Sequence, residues 1–423
     1  MLTKKQNDNV FRLKTIYSIY EKREGTMNKK IILLVAFAAF LGPFTQNIYV
    51  PLLPELQQQF HTTTLWINAT LSIFTFMLAI MQMVYGPIVD MKGRKKVLIV
   101  GLSIYVVATI GCILSDSITT FLLFRGMQAT GIAAGTIVGI TVIGDLFEGP
   151  ERGKAMSIFQ MLVSLGPAVG PIVGGWVGQN YGHSSVFLIL AIVGTIMLFL
   201  NALFLKETKP KDLAPVPFEW KNYLLAFTHP VSLMIIGLGA LQFFVFHNYL
   251  ALLAPIVQNQ YGITPSQTGF VFFSLAVMMV IGTYIGGELL RRFDSKKILL
   301  VTATLHVLSV VLFVFTALSS FSLMLVSLVL FGLCLGLSGP VQTTLLIEPF
   351  PNNRGTVVGT YNFMRFIGMA SGPIVGSLLF KESNMILPFI VAGVLFAAFV
   401  AWMWWFMGKV KKQQDYIKEN SAG

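Results

Sequence analysis

About twelve apolar stretches, each close to the roughly 20 residues a helix needs to cross a bilayer, follow one another along this chain with short polar breaks between them. They begin near Ile31, Leu65, Val97, Thr119, Ala155, Ser185, Pro230, Thr268, Ile298, Ser322, Thr356 and Ile386. Inside hydrocarbon every backbone N–H and C=O must find its partner within the chain, which an α-helix provides on its own. The expected fold is therefore an all-α polytopic membrane protein, with neighbouring helices antiparallel because the connections are short. With 55% hydrophobic residues, 11% charged residues and a mean hydropathy of +0.74, an ordinary soluble chain is excluded.

The pentapeptide Gly-Pro-Ile-Val-Gly occurs twice, at Gly170–Gly174 and Gly372–Gly376, and each copy follows another glycine, Gly166 or Gly368. The offset of about 202 residues is close to half the chain, as an internal duplication requires. Other landmarks keep nearly the same spacing: Arg152-Gly153 with Arg354-Gly355, Gln160 with Asn362, and Gly86 and Lys95-Lys96 with Gly287 and Lys296-Lys297. Two parallel six-helix bundles related by a pseudo-twofold repeat are expected, an arrangement suited to rocking about a central site.

A net charge of +12 would suggest nucleic acid in a soluble chain. Its distribution says otherwise. With the N-terminus inside, all of the 30 Lys and Arg except Lys381, Arg125 and Arg365 fall on the inner side. Both termini are thus expected to be cytoplasmic in a cell membrane, and no nucleic-acid partner is implied. Cys112 and Cys334 fall within predicted spans and read as buried thiols. The first apolar run continues into Pro51 and Pro54 without a small-residue cleavage pattern, so it reads as the first span. Met1 and Met27 both fit a translation start.

The expected organisation is a cytoplasmic segment 1–30, a first bundle 31–205, a linker 206–229, a second bundle 230–407 and a cytoplasmic tail 408–423. The linker rests on Lys209-Pro210-Lys211, Pro215 and Pro217. No metal motif, nucleotide loop or catalytic constellation stands out, so neither a metal nor a cofactor is expected, and a membrane enzyme lacks the titratable cluster it would need.

The second apolar run ends in Gly86-Pro-Ile-Val-Asp90-Met-Lys-Gly93-Arg94-Lys95-Lys96. Gly93 permits a tight turn, and Asp90 can place negative charge near a helix N-terminus or a base. The full spacing resembles the signature loop of the major facilitator superfamily, G-x-x-x-D-x-x-G-R-K, with every key position filled. The resemblance implies a gating latch formed by Asp90, Gly93 and Arg94, with Asp145 as the partner acid. In the second-half copy Arg291, Asp294 and Ser295 replace the key residues, so a mainly structural role is expected there.

Gly166-x-x-x-Gly170-Pro171-x-x-Gly174-Gly175 places glycines at i, i+4 and i+8 on one helix face, where another helix can approach closely. It is similar to the antiporter motif of proton-linked drug exporters in the same superfamily. Arg125-Gly-Met-Gln128-Ala129-Thr-Gly131 resembles that family's R-x-x-Q-G-x-G, with Ala129 departing from it. A charge within a span costs about 3 kcal/mol or more and should face a cavity or a partner. The resemblance implies a coupling and substrate-binding role for Arg125. Gln46-Asn47-Ile-Tyr49-Val-Pro51 resembles the bicyclomycin-resistance-like branch, with Asn47 standing where an aspartate is common. An amide can hydrogen-bond but cannot carry a proton near neutral pH.

No predicted span has an acid near its middle: Asp90, Asp145, Glu288 and Glu348 sit at inner ends, and Glu55 at the outer end of the first span. His247 is the titratable substitute within a span. His306 lies in the ninth span, which the family places at the periphery, and is discounted. Depth counting at about 1.5 Å per residue puts Asn47, Arg125, Gln128 and His247 roughly 6–10 Å outward of their helix centres. They are expected to form one polar cluster in a central cavity, surrounded by Tyr49, Phe243, Phe244, Phe246 and Tyr249, with Arg365 as a further candidate ligand. The resemblance implies a monomeric, proton-coupled exporter of small amphipathic compounds. The alternative is a selective exporter of an anionic metabolite or chelator held by Arg125 and Arg365.

Overall fold

The computed structural model describes residues 30–209, 223–350, 354–381 and 383–421. In the first half α1 spans Lys30–Gln59, α2 Thr64–Lys92, α3 Arg94–Ile113, α4 Ile118–Leu146, α5 Gly149–Tyr181 and α6 His183–Phe204. In the second half α7 spans Pro230–Tyr261, α8 Pro265–Leu289, α9 Ser295–Thr316, α10 Phe321–Ile347, α11 Arg354–Leu379 and α12 Leu387–Ser421. Eleven of these contain stretches long and apolar enough to cross a membrane. The exception, α11, is long enough at 26 residues, but Asn362 and Arg365 lower its hydropathy.

Several helices start where a polar side chain replaces a missing intrahelical partner. Ser117 accepts from Thr120 N–H at the start of α4, and Thr264 and Gln267 form a reciprocal capping box on α8. Asp294 accepts from Lys297 N–H and caps α9, giving the divergent second loop a structural role. Pro51 lies in a short 3-10 turn, Val50–Leu52, that interrupts α1.

Within the first half α2 and α3 pack on α4, and α6 closes on α3; in the second half α8 and α9 pack on α10, and α12 closes on α9. Small residues set these approaches. A Cβ at Gly170 would lie 3.2 Å from both Phe44 O and Ile48 N of α1. In the other bundle a Cβ at Gly372 would meet Phe244 O at 2.5 Å and Asn248 N at 3.3 Å on α7. The same contact is thus built twice, and the pseudo-twofold repeat read from the pentapeptides is a repeat of helix packing.

Across the two halves α2 packs on α11 and α5 on α8. Arg94, Lys95, Arg291 and Arg292 mark one end of the helices, called here the basic end; the turns after α1 and α7 lie at the far end. Hydrogen bonds joining the bundles gather from mid-membrane to the far end. They run from Gln258 to Pro51 O (2.8 Å), from Asn68 to Ser377 Oγ (2.9 Å) and from Ser266 N–H to Gln179 Oε1 (3.2 Å).

The expected segment 1–30 lies outside the described residues except for Lys30, and so does 210–222 of the expected linker. The start of that linker is held rather than free, as described below. The helical backbone of α12 continues through 408–421, so the expected boundary of the tail does not coincide with a helix end.

Candidate functional site

At mid-membrane the bundles meet through Gln46 and His247. His247 Nδ1 lies 3.2 Å from Phe243 O, an acceptor only, so Nδ1 carries the ring proton and Nε2 is left to accept. Gln46 Nε2 lies 3.5 Å from that Nε2 and donates to Thr75 Oγ1 at 2.7 Å. Phe246 stands edge-on to the imidazole, ring centroids 5.2 Å apart. One turn back on α7, Phe243 lies beneath the Arg365 guanidinium, 4.0 Å from carbon to ring centroid. Arg365 donates to Asn362 Oδ1 at 3.2 Å, and its buried Nε has no partner among the described residues. A continuous string therefore runs Gln46, His247, Phe243, Arg365 across the two halves: an amide, an imidazole, an aromatic ring and a cation.

The expected cluster of Asn47, Arg125, Gln128 and His247 divides. Asn47 turns back on its own helix and donates to Pro43 O at 2.7 Å. Arg125 is fully buried inside the first bundle, its guanidinium 4.4 Å from the Tyr49 ring and 4.3 Å from the Phe74 ring. It donates to Gln128 Oε1, and Gln128 donates to Thr109 Oγ1 at 2.8 Å. Nε and Nη2 of Arg125 have no partner among the described residues. Depth counting placed these residues at similar levels, but each helix's rotation is set by its neighbours, and that turned them apart.

The aromatic set divides in the same way. Phe243 and Phe246 belong to the mid-membrane string. Tyr49 bonds Thr70 at 2.9 Å within the first bundle. Tyr249 is enclosed by Phe313, Phe331 and Phe389 in the second, and the backbone oxygen of Phe244 faces Gly372 of α11. Gln46 stood in the sequence beside Asn47 without being singled out; its signal was a second amide one residue away, on a different helix face.

At the basic end the signature loop forms a built ionic site. Arg94 is 2% exposed; its Nε donates to Asp145 at 2.8 Å and its Nη2 lies 3.3 Å from Asp90. Gly93 has φ +92°, a backbone state that side chains disfavour. Immediately beyond it Glu207, which sequence reasoning missed, accepts from the backbone N–H of Arg94 (2.8 Å) and Lys95 (3.2 Å), the first residues of α3. A carboxylate at a helix N-terminus satisfies orphan donors and the positive end of the dipole. Thr208 donates to Asp145 at 2.9 Å, and Lys209 Nζ donates to Met91 O at 3.0 Å. Partial burial pushes the Glu207 carboxyl up, but N–H donors from Arg94, Lys209, Lys95 and Thr208 outweigh it and hold the group below its usual range. The signal for Glu207 was an acid standing alone among Lys206 and Lys209 just past a span.

Gly166, Gly170 and Gly174 all face α1, the first meeting Phe44 N and the last so close to Ile48 O that a Cβ would overlap it. Gly175 points the other way, against Pro265 O of α8, while Gly269 of α8 lies against Pro171 O of α5. The motif therefore binds α5 to its own bundle and to the partner bundle at once. Among the described residues no group of His, Cys, Asp or Glu could hold a metal, and Cys112 and Cys334 are buried free thiols.

Comparison with known proteins agrees with this architecture. The chain is 24% identical over 354 residues to multidrug resistance protein D of Escherichia coli, covering 82% of this chain and 88% of that protein. It is 23% identical over 360 residues to an uncharacterized transporter of Bacillus subtilis, covering 83% and 90%. A shorter match, 31% over 179 residues, covers 42% of this chain and 34% of citrate exporter 1 of Aspergillus niger. Among solved structures, a bacterial homolog of the human lysosomal transporter Spinster, inward-facing and unoccupied, superposes with a TM-score of 0.73 at 16% identity, covering 89% and 97%. A D-xylose-proton symporter gives 0.71 at 17% identity, covering 88% and 96%. The sequence model of the Major Facilitator Superfamily matches residues 35–373 and 238–421, and the chain belongs to that superfamily of membrane transporters.

Proposed function

We propose that this transporter exports small amphipathic compounds from the cytoplasm across a cell membrane, by alternating access and in exchange for protons. The observation that carries the reading is the mid-membrane string Gln46, His247, Phe243 and Arg365. It joins the two bundles and offers rings together with a few hydrogen-bonding groups. Sites of that composition hold compounds that are mostly apolar with a small polar part. The basic end faces the cytoplasm, in keeping with the retention of Lys and Arg on that side of membranes. Bundle contacts that gather toward the far end suit a state open to the cytoplasm. The likeness to multidrug resistance protein D supports efflux.

A second reading has its own observation. Arg365 has an unpartnered Nε, and the described spans hold no acid near their middle. A substrate carrying negative charge would supply the missing partner. Arg125, enclosed in the first bundle, is left out of the ligand set in both readings. The two are separated in proteoliposomes by following efflux of ethidium, a cation, and carboxyfluorescein, an anion, with and without an imposed pH gradient. Ethidium movement that needs the gradient supports the first reading. Carboxyfluorescein movement lost in Arg365→Gln supports the second. No flux of either dye under any gradient overturns both.

A further inference from the structure

Outside the transport site, the far half of the molecule carries a groove over the seam between the bundles. Its floor is α2 from Trp66 to Met77; α4 banks one side from Leu122 to Thr130, and α11 the other from Ile367 to Ile374. α2 and α4 belong to the first bundle and α11 to the second, so a single occupant would touch both. The volume of about 720 Å³ lies within the roughly 300–1,000 Å³ of pockets that enclose small molecules.

Helix spacing shows which way the groove opens. Trp66, Ala69, Ile73 and Phe76 recur at steps of three and four residues and so share one face of α2. Asn68 and Thr75, which bond Ser377 and Gln46, lie on a different face, turned into the molecule. α2 itself therefore separates the groove from the mid-membrane string. Trp66, Phe76, Leu123 and Ile374 are exposed, by 53, 42, 62 and 39%. On spanning helices, exposed apolar side chains of this kind meet hydrocarbon.

Depth selects the occupant. α2 has 29 residues and is about 43 Å long, close to the roughly 40–45 Å of a bilayer with its headgroups. Trp66, near the start, falls at the far-side interface, where Trp is favoured, and Met77 falls just short of the helix midpoint. Between them lie about 16–17 Å of helix, one leaflet of the roughly 30 Å hydrocarbon core. Three hydroxyls line the groove. Thr130 and Ser371 donate to the carbonyls of Gly126 and Gly368 at 3.0 Å, whereas Ser72, 3% exposed, has no partner among the described residues. It lies about 9 Å below Trp66, a depth at which a lipid ester carbonyl supplies an acceptor. We propose that the groove holds one acyl chain of a lipid from the far-side leaflet, laid along α2 and bridging the bundles. Any parting of α2 from α11 would take one bank away, so the chain favours the arrangement in which the far end is shut.

The test needs no flux, so its outcome is independent of the proposed function. The full-length protein is reconstituted in vesicles of phosphatidylethanolamine and phosphatidylglycerol. A trace of phosphatidylcholine carries a diazirine midway along one acyl chain. After illumination, adducts are mapped by mass spectrometry. Labelling is expected on α11 and on α2 or α4 together, several-fold above that on the exposed apolar faces of α6 and α9 around Leu203 and Leu308. Ala69→Phe and Thr130→Phe, which fill the groove from α2 and from α4, should each cut the groove adducts several-fold and leave those on α9 unchanged. Excess ethidium should not displace them. Adducts that merely follow exposure, that spare α11, or that persist in both filled variants overturn the inference. Displacement by ethidium would give the groove to the transported compound and overturn it likewise.

Discussion

Arg94 shows how a single side chain can hold a loop in one arrangement. A guanidinium at 2% exposure is tolerable only because Asp145, Asp90 and Val89 O surround it. Truncation of one partner leaves the charge buried and short of an ion pair, which costs about 3 kcal/mol. Asp145→Ala should therefore lower the thermal unfolding midpoint of the purified protein far more than Glu288→Ala. The latter removes only exposed pairs with Arg291 and Arg292, worth under about 1 kcal/mol. Glu207 adds a pH dependence with a definite sign. Its folded-state pKa lies below the ordinary value of 4.5, so its stabilisation is complete above that value and is lost as pH falls through and beneath it. The stability difference between the native protein and Glu207→Gln should thus be present at neutral pH and shrink below about pH 4.5, the ordinary carboxylate range. A difference that stayed constant down to acid unfolding would show that the carboxylate's charge plays no part in the cap.

Helix existence was readable in the sequence because apolar length is a strong signal; helix rotation was not. The predicted start of the ninth span near Ile298 falls inside α9, which begins three residues earlier because Asp294 caps it. α5 begins at Gly149, ahead of the predicted Ala155, because Glu151, Arg152 and Lys154 read as loop although they extend the helix beyond the apolar region. The glycine face of α5 was readable as well, since spacing alone puts Gly166, Gly170 and Gly174 together. Their partner was not readable, because only the packed structure shows that α1 lies there. The steric argument gives a graded prediction for this element. Gly174→Ala would drive a methyl into Ile48 O and should destabilise by about 1–3 kcal/mol, as overpacking does. Gly153→Ala, on the same helix with nothing within 4 Å of the new Cβ, should be neutral or stabilise by up to about 1 kcal/mol through helix propensity. Thermal unfolding of the two variants in one detergent makes the comparison; equal effects would mean that the α1–α5 approach has room to relax.

At the scale of the whole molecule the proposed alternating access requires the two bundles to part at one end when they close at the other, and the contacts that would have to break are identifiable. Asn68 of α2 bonds Ser377 of α11 across the seam, both side chains buried. Pro51 O with Gln258 and Gln179 with Ser266 join α1 to α7 and α5 to α8 at the same far end. A covalent link at the first of these positions would hold the far end shut while leaving the basic end free to open. Asn68→Cys with Ser377→Cys should form a disulfide on oxidation, since the native side chains face each other across the seam at hydrogen-bond distance. Cys112 and Cys334 are buried thiols within their own bundles and offer no competing partner at the seam. Oxidised double variant in proteoliposomes should lose dye flux to the level of protein-free vesicles, and reductant should restore it. Each single variant should transport under both conditions. Binding of the dye from the basic side should survive oxidation, because among the described residues the hydrogen bonds that join the bundles lie from mid-membrane to the far end. Flux that persists through a verified cross-link would mean that the far end need not open, and alternating access between these bundles would be the wrong description of the cycle.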